Sequence, residues 1–308
     1  MSSPGLPLVD HPAADLAGPP GWQAALDIAF TATEGGATLL ARHRQLGPLV
    51  VQRAFAPEGP AVSHVTILHP PGGLVGGDQL RIANAVERGA HGLCTTPAAA
   101  KHYRSAGPVA LQQQQLSVAA GGTLEWLPHE NILFEGAISE LATRVDLGAG
   151  ARFIGIDLTC FGLPARHERF ARGRCRQTLE LWRARDDHDT APARPLLIER
   201  GCFDGGAPVH AARWGLGGAP VVGTLVATPG LPADHAALAA IRARAGDLPE
   251  GDLGVVTRLG PTPDDSVLCA RYLGASAERG LSFLRDAWRL LRPALLGREA
   301  VNPRIWAT

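Results

Sequence analysis

Charge is scarce in this 308-residue sequence, and lysine is nearly absent from it. Charged residues make up 19% of the chain, the formal net charge is zero, and Lys101 is the only lysine. Proteins that bind nucleic acids carry a pronounced basic surface, so this neutral chain is not expected to bind nucleic acid. Because little charge repulsion keeps copies apart, we expect the isolated protein to be poorly soluble and to require a partner protein.

Long apolar runs and closely paired cysteines are also missing. No stretch reaches the 18 or so apolar residues of a membrane-spanning helix, so no membrane partner is expected. The five cysteines are widely spaced without a C-x-x-C motif, which favours a reducing compartment and argues against a zinc-ribbon site. No lysine or arginine precedes Arg42, so the basic start of a secretory signal peptide is absent. The sequence therefore predicts a cytoplasmic protein.

The common enzyme motifs do not occur either. The sequence contains neither the G-x-S-x-G motif of a nucleophilic serine nor the H-E-x-x-H motif of a zinc protease. Gly72 and Gly77 have the spacing of a phosphate-binding loop, but Asp78 stands where that loop requires lysine, and its charge would repel phosphate. A carboxylate-pair hydrolase that uses Asp78 and Glu168 remains as the enzymatic alternative.

What is present is a glycine-rich turn between two strand-like segments. Pro70 and Pro71 stop any helix, and four glycines follow within six positions: Gly72, Gly73, Gly76 and Gly77. Such a turn holds Asp78 in a fixed position at the start of the next strand. The carboxylate either caps the backbone of its own turn or is held for a metal ion or a partner protein, and the spacing alone does not choose between these roles.

Short strand-like segments dominate the rest of the chain. Residues 1–21 are rich in proline, alanine and glycine and are predicted to form a disordered extension. From Trp22 to Thr308 we predict a single β-rich domain of about fifteen strands, because short runs of Val, Ile, Leu, Phe and Thr alternate with turn residues. Strands in unbroken succession exclude a doubly wound α/β fold and by themselves favour a large β-sandwich.

Two segments near the C-terminus have helical patterns. Asp234 is predicted to cap a helix from His235 to Arg244. A second helix is predicted over 276–296, where apolar residues recur at three- and four-residue spacing. Pro293 is expected to kink or end this helix.

Four blocks of the sequence resemble the urease accessory proteins of the UreD/UreH type. They are HPPGGLVGGD at 69–78, TTPAAAKHYRS at 95–105, LEWLPHENILFEGA at 124–137 and CFGLPARHERFARG at 160–173, and the similarity continues over 291–308. The resemblance implies a mainly β fold of short strands stacked in two layers, like a β-helix, with a small helical part near the C-terminus. It also implies a scaffold in urease maturation that docks on the urease apoprotein, recruits the accessory proteins UreF and UreG, and offers a route for nickel.

Several side chains in and near these blocks are candidate nickel ligands: Asp78, His129, Glu130, Asp157 and Glu168. Nickel(II) accepts imidazole and carboxylate ligands. A protein that passes the ion on should bind it transiently through exchangeable oxygens, without a closed Cys/His cage and without a tightly bound cofactor. The resemblance assigns the aspartate of the GGD block to Asp78 and the glutamate of the G-x-P-x-x-x-E block to Glu168, as residues that line the nickel route.

Structural roles are the alternatives for these acidic and imidazole groups. Asp157 lies in the apolar run FIGIDL, where a carboxylate needs a partner, and pairing with Arg152 or Arg166 would make it purely structural. For His129 the alternative is a core histidine whose ring nitrogens are hydrogen-bonded within the protein. Acidic residues in alternating strands, such as Glu125 and Glu135, are typical of solvated faces. The acidic cluster at 186–189 is interpreted as a solvated hairpin tip.

Partner-binding candidates fall into two groups. Lys101, Tyr103 and Arg104 belong to the TTPAAAKHYRS block, and the others lie near the C-terminus: Arg292, Arg304 and Trp306. A tryptophan and an arginine at a chain end are typical interface anchors, although core packing is the alternative for Trp306. The sequence departs from the family pattern at 98–100, where glycine and serine are common, and at Leu163, which replaces an arginine.

Taken together, the residues and the resemblance predict a non-enzymatic assembly factor that acts by protein docking and weak nickel passage. If Asp78 faces a channel, its substitution by asparagine should leave folding near wild type and reduce urease activation, because such a charge contributes little to stability.

Overall fold

The computed structural model describes residues 21–183, 193–263 and 265–307. The predicted N-terminal extension, up to residue 20, and the acidic cluster at 186–189 lie outside these ranges. Within them the chain forms the strands β1 (Gln23–Ala32), β2 (Thr38–Leu46), β3 (Val50–Val51), β4 (Ser63–Leu68), β5 (Gln79–Val86), β6 (His91–Thr95), β7 (Ala100–His102), β8 (Ala110–Val118), β9 (Thr123–Leu127), β10 (Asn131–Leu133), β11 (Ile138–Leu147), β12 (Arg152–Leu163), β13 (Glu168–Arg169), β14 (Arg174–Arg183), β15 (Arg194–Asp204), β16 (Val221–Thr228), β17 (Leu253–Leu259) and β18 (Val267–Gly274). The helices are α1 (Pro208–Ala211), α2 (Ala236–Gly246) and α3 (Ala277–Leu296).

The strands form two sheets whose inner faces share an apolar core. The first sheet has seven strands in the order β15-β14-β11-β8-β5-β1-β2. The main path of the second sheet runs β17-β18-β16-β12-β9-β6-β4-β3, and the short strands β7, β10 and β13 attach beside it. Phe30 of the first sheet and Phe153 of the second lie in the same buried cluster, which fills the space between the layers.

Consecutive strands in the middle of the chain alternate between the two layers. β4, β6, β9 and β12 are parallel neighbours in the second sheet, and the next first-sheet strand after each of them (β5, β8, β11 and β14) is a parallel neighbour in the first sheet. Each coil of chain therefore adds one strand to each layer. This stacking confirms the β-helix-like, two-layer fold that the resemblance implied, with α3 as the helical part near the C-terminus.

The four family-like blocks occupy equivalent positions in successive coils. They lie largely in the connections from the second sheet to the first, at 69–78, 96–109, 128–137 and 164–173. Because β4, β6, β9 and β12 are parallel, these connections meet at one edge of the molecule. The connections also stack on one another, since Leu74 bridges His102, β7 pairs with β10 and β10 pairs with β12. We call this edge, formed by the four connections, the motif edge.

Two helices cover the outer face of the second sheet. α2 and α3 pack there in a second apolar cluster that contains Leu238, Ile241 and Trp288. The cap of α2 is His235, whose Nδ1 accepts a hydrogen bond from the Ala237 amide at 3.1 Å, so the prediction of Asp234 as the cap is wrong. Pro293 does not end α3, which continues to Leu296. None of the helices in the described ranges combines the length and apolar character needed to cross a bilayer.

Candidate functional site

A cavity of about 150 Å³ lies between the two sheets beside the motif edge. This volume is large enough for several water molecules. Its walls are largely apolar and include Ile82 and Phe153, but a set of polar side chains also lines it: His69, Gln112, Gln114, His129, Asn131, Thr143 and Asp157. We call it the interlayer cavity.

Side chains of β8 supply part of this polar lining. Gln114 Oε1 accepts hydrogen bonds from Trp126 Nε1 at 3.0 Å and from Thr143 Oγ1 at 3.1 Å. Gln112 Nε2 donates to Asn131 Oδ1 at 3.1 Å, while Gln112 Oε1 is buried without a hydrogen-bond partner among the described residues. The glutamines therefore tie the two layers together and leave an amide oxygen free inside the protein.

Among the described residues that line this cavity, Asp157 is the one carboxylate. It lies on β12 with its Oδ1 buried and without a hydrogen-bond partner in the described part of the chain. The predicted structural pairings do not form: Arg166 pairs with Glu168 at 3.2 Å, and Arg152, five residues away on the same strand, points to the opposite face. Burial raises the pKa of Asp157 to about 6. The group therefore titrates close to neutral pH.

A second cavity, of about 440 Å³, continues from Asp157 toward the side of the molecule. Its lining comes from β14, β15, β16 and β18, and includes Gln177, Glu199, Thr224 and Arg271. Asp157 and Leu179 line both cavities. The Asp157 carboxylate consequently stands where the two spaces meet.

Two imidazoles lie where the glycine-rich turn meets the next connection. His102 is fully buried, neither ring nitrogen has a hydrogen-bond partner among the described residues, and burial lowers its pKa to about 4. His69 stacks on Trp22 with ring centroids 5.0 Å apart, and burial lowers its pKa although Asp78 acts in the opposite direction. His102 is therefore neutral near pH 7, the state in which imidazole binds metals.

Asp78 does not line either cavity. Its residue is fully buried, and its two carboxylate oxygens accept backbone hydrogen bonds from Trp22 at 3.2 Å and from Val75 at 2.8 Å. Of the two roles left open by the spacing, the structure shows the backbone cap, which also ties the start of β1 to the turn. The premise of a channel-facing Asp78 does not hold, so Asp78→Asn is no longer expected to leave folding near wild type, because both oxygens accept hydrogen bonds.

The glycines of the turn have distinct structural tasks. Gly72 and Gly77 adopt positive φ angles of 75° and 94°, which favour glycine. At Gly73 an added Cβ would lie 2.3 Å from the Tyr103 ring, and at Gly76 it would lie 2.1 Å from Ser105 Oγ. The turn thus packs directly against the next connection of the motif edge.

The remaining candidate ligands are dispersed. His129 lines the interlayer cavity, but its Nε2 accepts a hydrogen bond from Arg285 Nη2 at 3.0 Å; burial and then the Arg285 charge lower its pKa. Glu168 is exposed on β13, beside Arg166, and Glu130 is half-buried outside the cavity lining. Of the five candidates, only His129 and Asp157 share a cavity. Among the described residues no three His, Cys, Asp or Glu side chains are grouped for a metal ion.

The candidate partner residues of the TTPAAAKHYRS block lie on the surface of the motif edge. Tyr103 and Arg104 are exposed, and Lys101 is half-buried. The Tyr103 ring lies 4.9 Å from that of Phe134 in the next connection. These side chains are accessible to another protein.

The C-terminal candidates differ from one another. Arg304 is exposed, with its guanidinium 5.6 Å from the Phe55 ring. Trp306 is half-buried: its Nε1 donates to Thr95 Oγ1 at 2.9 Å, and its ring packs on Trp288 and beneath Arg285. The last turn of the chain thus contacts the wall of the interlayer cavity at Thr95.

Arg292 is buried and does not reach the surface, so its assignment as a partner-binding residue does not fit the structure. It donates from Nε to both Glu125 oxygens, at 3.1 and 2.9 Å, and from Nη2 to both Glu58 oxygens, at 2.7 and 2.8 Å. Glu125, predicted on a solvated face, is likewise fully buried and also accepts from His91 at 2.8 Å and Trp288 at 2.6 Å. Burial alone would raise the pKa of Glu125, but these partners outweigh it and hold the pKa at about 2. The network fastens α3 to the second sheet.

The fold and its interior define a class of protein: a two-layered, solenoid-like β protein with internal cavities lined by apolar and polar side chains. The family model for the UreD urease accessory protein matches residues 23–307. The chain is 44% identical to the urease accessory protein UreD of Dechloromonas aromatica over 290 residues, which cover 94% of this chain and 96% of the relative. Identity to the UreD protein of Azoarcus sp. is 42% over 289 residues, or 94% and 95% of the two chains. Against the Pseudomonas fluorescens protein it is 43% over 297 residues, or 96% and 99%. The chain belongs to the UreD family of urease accessory proteins, and this membership supports a role in urease maturation.

Proposed function

We propose that this chain is a non-catalytic cytoplasmic maturation factor that docks on the urease apoprotein, recruits UreF and UreG, and passes nickel ions through the space between its two sheets. Family membership supports the urease partner. The route for nickel is supported by one observation above all, the position of Asp157 at the junction of the two cavities.

The chemistry of Asp157 suits transient binding of a divalent cation. Asp157 is half-buried as a residue, but its Oδ1 is buried and has no hydrogen-bond partner among the described residues, so this oxygen is free to bind an ion. Its pKa of about 6 means that loss of the proton near neutral pH prepares the group for a cation. A single carboxylate with nearby amide oxygens binds nickel more weakly than a closed cage of thiolates and imidazoles, so the ion can leave again.

The route begins at the motif edge. His129 and the turn at Gly72 line the interlayer cavity there, and Gln112 offers a free amide oxygen further in. From Asp157 the second cavity continues to the side of the molecule. An ion that follows this path meets neutral oxygen and nitrogen donors before Asp157, and beyond it a cavity whose lining includes Glu199 paired with Arg271.

The structure gives little support to the carboxylate-pair hydrolase. Asp78 is fully buried beneath its turn with both oxygens bonded to backbone amides, whereas Glu168 is exposed and paired with Arg166. The two carboxylates are thus not presented to a common substrate. Measurable turnover by the purified protein alone would restore this alternative.

The proposal is tested by maturing urease in cells that co-express the apoprotein, UreF, UreG and either wild-type protein or the Asp157→Asn variant. We expect the variant to co-purify with the same partners, while the urease contains less nickel and has proportionally less activity. The readouts are pull-down of each partner, nickel per urease by elemental analysis, and urease activity.

Asp27→Asn is the matched control, since it makes the same chemical change at a partly exposed strand carboxylate outside both cavities, paired with Arg42. This variant should match wild type in all three readouts. Full nickel loading with Asp157→Asn would refute the proposed route. Absence of any association with the urease apoprotein would refute the scaffold role itself.

A further inference from the structure

The two sheets end at different places on the side away from β2. The first sheet ends at β15, while the second continues past β18 to β17. β15 lies over β18, because Glu199 of β15 pairs with Arg271 of β18, and Arg194, at the start of β15, pairs with Asp265. The position in the first sheet that would face β17 is therefore unfilled by any described strand.

No described strand covers the inner face of β17. Val255 stands opposite Arg271 in the β17–β18 register, so its side chain points to the same interior side as Arg271. Leu253, Val255 and Leu259 share this face and are 62%, 50% and 41% exposed, whereas Val256, on the opposite face under the helices, is 5% exposed. We call the three exposed side chains the β17 strip.

The geometry specifies what would cover this strip. β15 is the terminal strand of the first sheet among the described residues, so one of its edges carries backbone N–H and C=O groups without a described neighbouring strand. A strand added along that edge would extend the first sheet and lie directly over β17. Its inward side chains would need to be aliphatic at alternate positions, to match Leu253, Val255 and Leu259.

A second copy of this chain fits the site poorly. Pairing of two β17 edges would extend the second sheet in its own plane and leave the strip uncovered. If β15 of another copy were the added strand, its inward-facing Glu199 would be buried against aliphatic side chains, which is unfavourable without a partner.

We propose that β15 and the β17 strip form a docking site for an extended segment of a different protein, which adds an eighth strand to the first sheet. The inference rests on the proposed function only in that the partner is sought among the urease maturation proteins. Ile198, Glu199 and Arg200 of β15 also line the second cavity, so the docked segment would lie beside the side opening of that cavity.

Hydrogen exchange of the full-length protein, alone and in complex with UreF, UreG or the urease apoprotein in turn, tests this inference. In one of the complexes we expect slower amide exchange in β15, from the new backbone hydrogen bonds, and in the adjoining β17. Exchange in β2, the terminal strand at the other end of the first sheet, should not change and serves as an internal control.

A pair of variants provides the second arm. Val255→Lys should weaken the affinity for that partner by about tenfold or more, because it places a charge against an apolar segment. Leu46→Lys makes the same kind of change on β2, where Leu46 is 64% exposed, and should leave the affinity unchanged. Both positions are exposed, so thermal unfolding of the two variants should match wild type.

Each other outcome would overturn the inference. Binding of the partners without protection of β15 would place the docking site elsewhere and leave the scaffold role intact. Protection of β15 in the isolated protein would mean that a segment of this chain, or a second copy if the protection grows with concentration, covers the strip. Absence of binding by any of the three proteins would overturn both this inference and the proposed function.

Discussion

Replacing Asp157 by asparagine should make the protein more stable at neutral pH. Burial raises the pKa of Asp157 from an ordinary value of 3.8 to about 6. Folding therefore disfavours the ionised form, and a difference of about two pKa units corresponds to about 3 kcal/mol. Asparagine has nearly the same shape and carries no charge at any pH, so the variant does not bear this cost.

The pH dependence has a defined sign. Below the unfolded-state pKa of 3.8 the carboxyl is protonated in both states and costs nothing. The destabilisation of the wild type develops as the pH rises from there toward about 6, and it is complete above that value. The stability gap between the variant and the wild type should follow the same course.

Urea denaturation followed by tryptophan fluorescence measures this gap. We expect Asp157→Asn to exceed the wild type by about 3 kcal/mol near pH 7.5 and to match it near pH 4. A gap of the same size at both pH values, or a less stable variant at the higher pH, would show that the carboxylate is compensated by a partner and would remove the physical basis of the proposed ion site.

Three further predictions concern the buried polar groups. Asp78→Asn should lower the free energy of unfolding by about 1–3 kcal/mol, since an amide NH₂ would face a backbone N–H donor; unchanged denaturation curves would contradict the cap. Arg292→Met should lower the free energy of unfolding by about 3–5 kcal/mol, because it leaves the buried carboxylates without their positively charged partner. On the same helix, Arg289→Met, which removes a partly exposed pair with Asp286, should cost less than about 1 kcal/mol, and equal losses would refute the network. Because the pKa of Glu125 is held at about 2, below its ordinary 4.5, the stability it provides should be complete above pH 4.5 and disappear as the pH falls toward 2. The gap between wild type and Glu125→Gln in acid titrations measures this effect, and a gap that does not narrow in acid would contradict it.

Strand positions were predictable because short runs of Val, Ile, Leu, Phe and Thr are separated by turn residues. Six predicted strands coincide with those of the structure at both ends: Ser63–Leu68, Gln79–Val86, His91–Thr95, Ala110–Val118, Thr123–Leu127 and Leu253–Leu259. β2 was missed because it lacks that pattern. Only Thr38 of its nine residues is buried, and the others are half or fully exposed on a terminal strand.

The arrangement of the strands did not follow from the local pattern. A succession of short strands and turns is equally consistent with a β-sandwich and with stacked coils, and no sequence repeat marks the coils. The coils share only short glycine turns on the edge opposite the motif edge, where Gly89, Gly121 and Gly150 have positive φ angles of 73°, 69° and 61°. The family resemblance, carried by four separated blocks, therefore supplied the two-layer stacking.

The roles of the acidic residues depended on contacts that are distant in sequence. Glu125 looked like part of a solvated face, yet Trp288 and Arg292, more than 160 residues later, bury it. For Asp78 the sequence left a backbone cap and a metal or partner role open, and the structure shows a cap that accepts from the Trp22 amide, 56 residues upstream. Asp157 was recognised as unusual because it interrupts an apolar run, and only the structure shows that Arg152 points to the opposite face and that Arg166 pairs with Glu168.

The central claim is that a nickel ion can bind at Asp157 between the two sheets. Anomalous X-ray scattering at the nickel absorption edge, from crystals of the protein soaked in nickel chloride, tests it most directly. The account predicts an anomalous peak within coordination distance of the Asp157 carboxylate, which is absent in Asp157→Asn crystals soaked in the same way. Nickel bound only at surface histidines, with an empty junction between the cavities in the wild type, would contradict it.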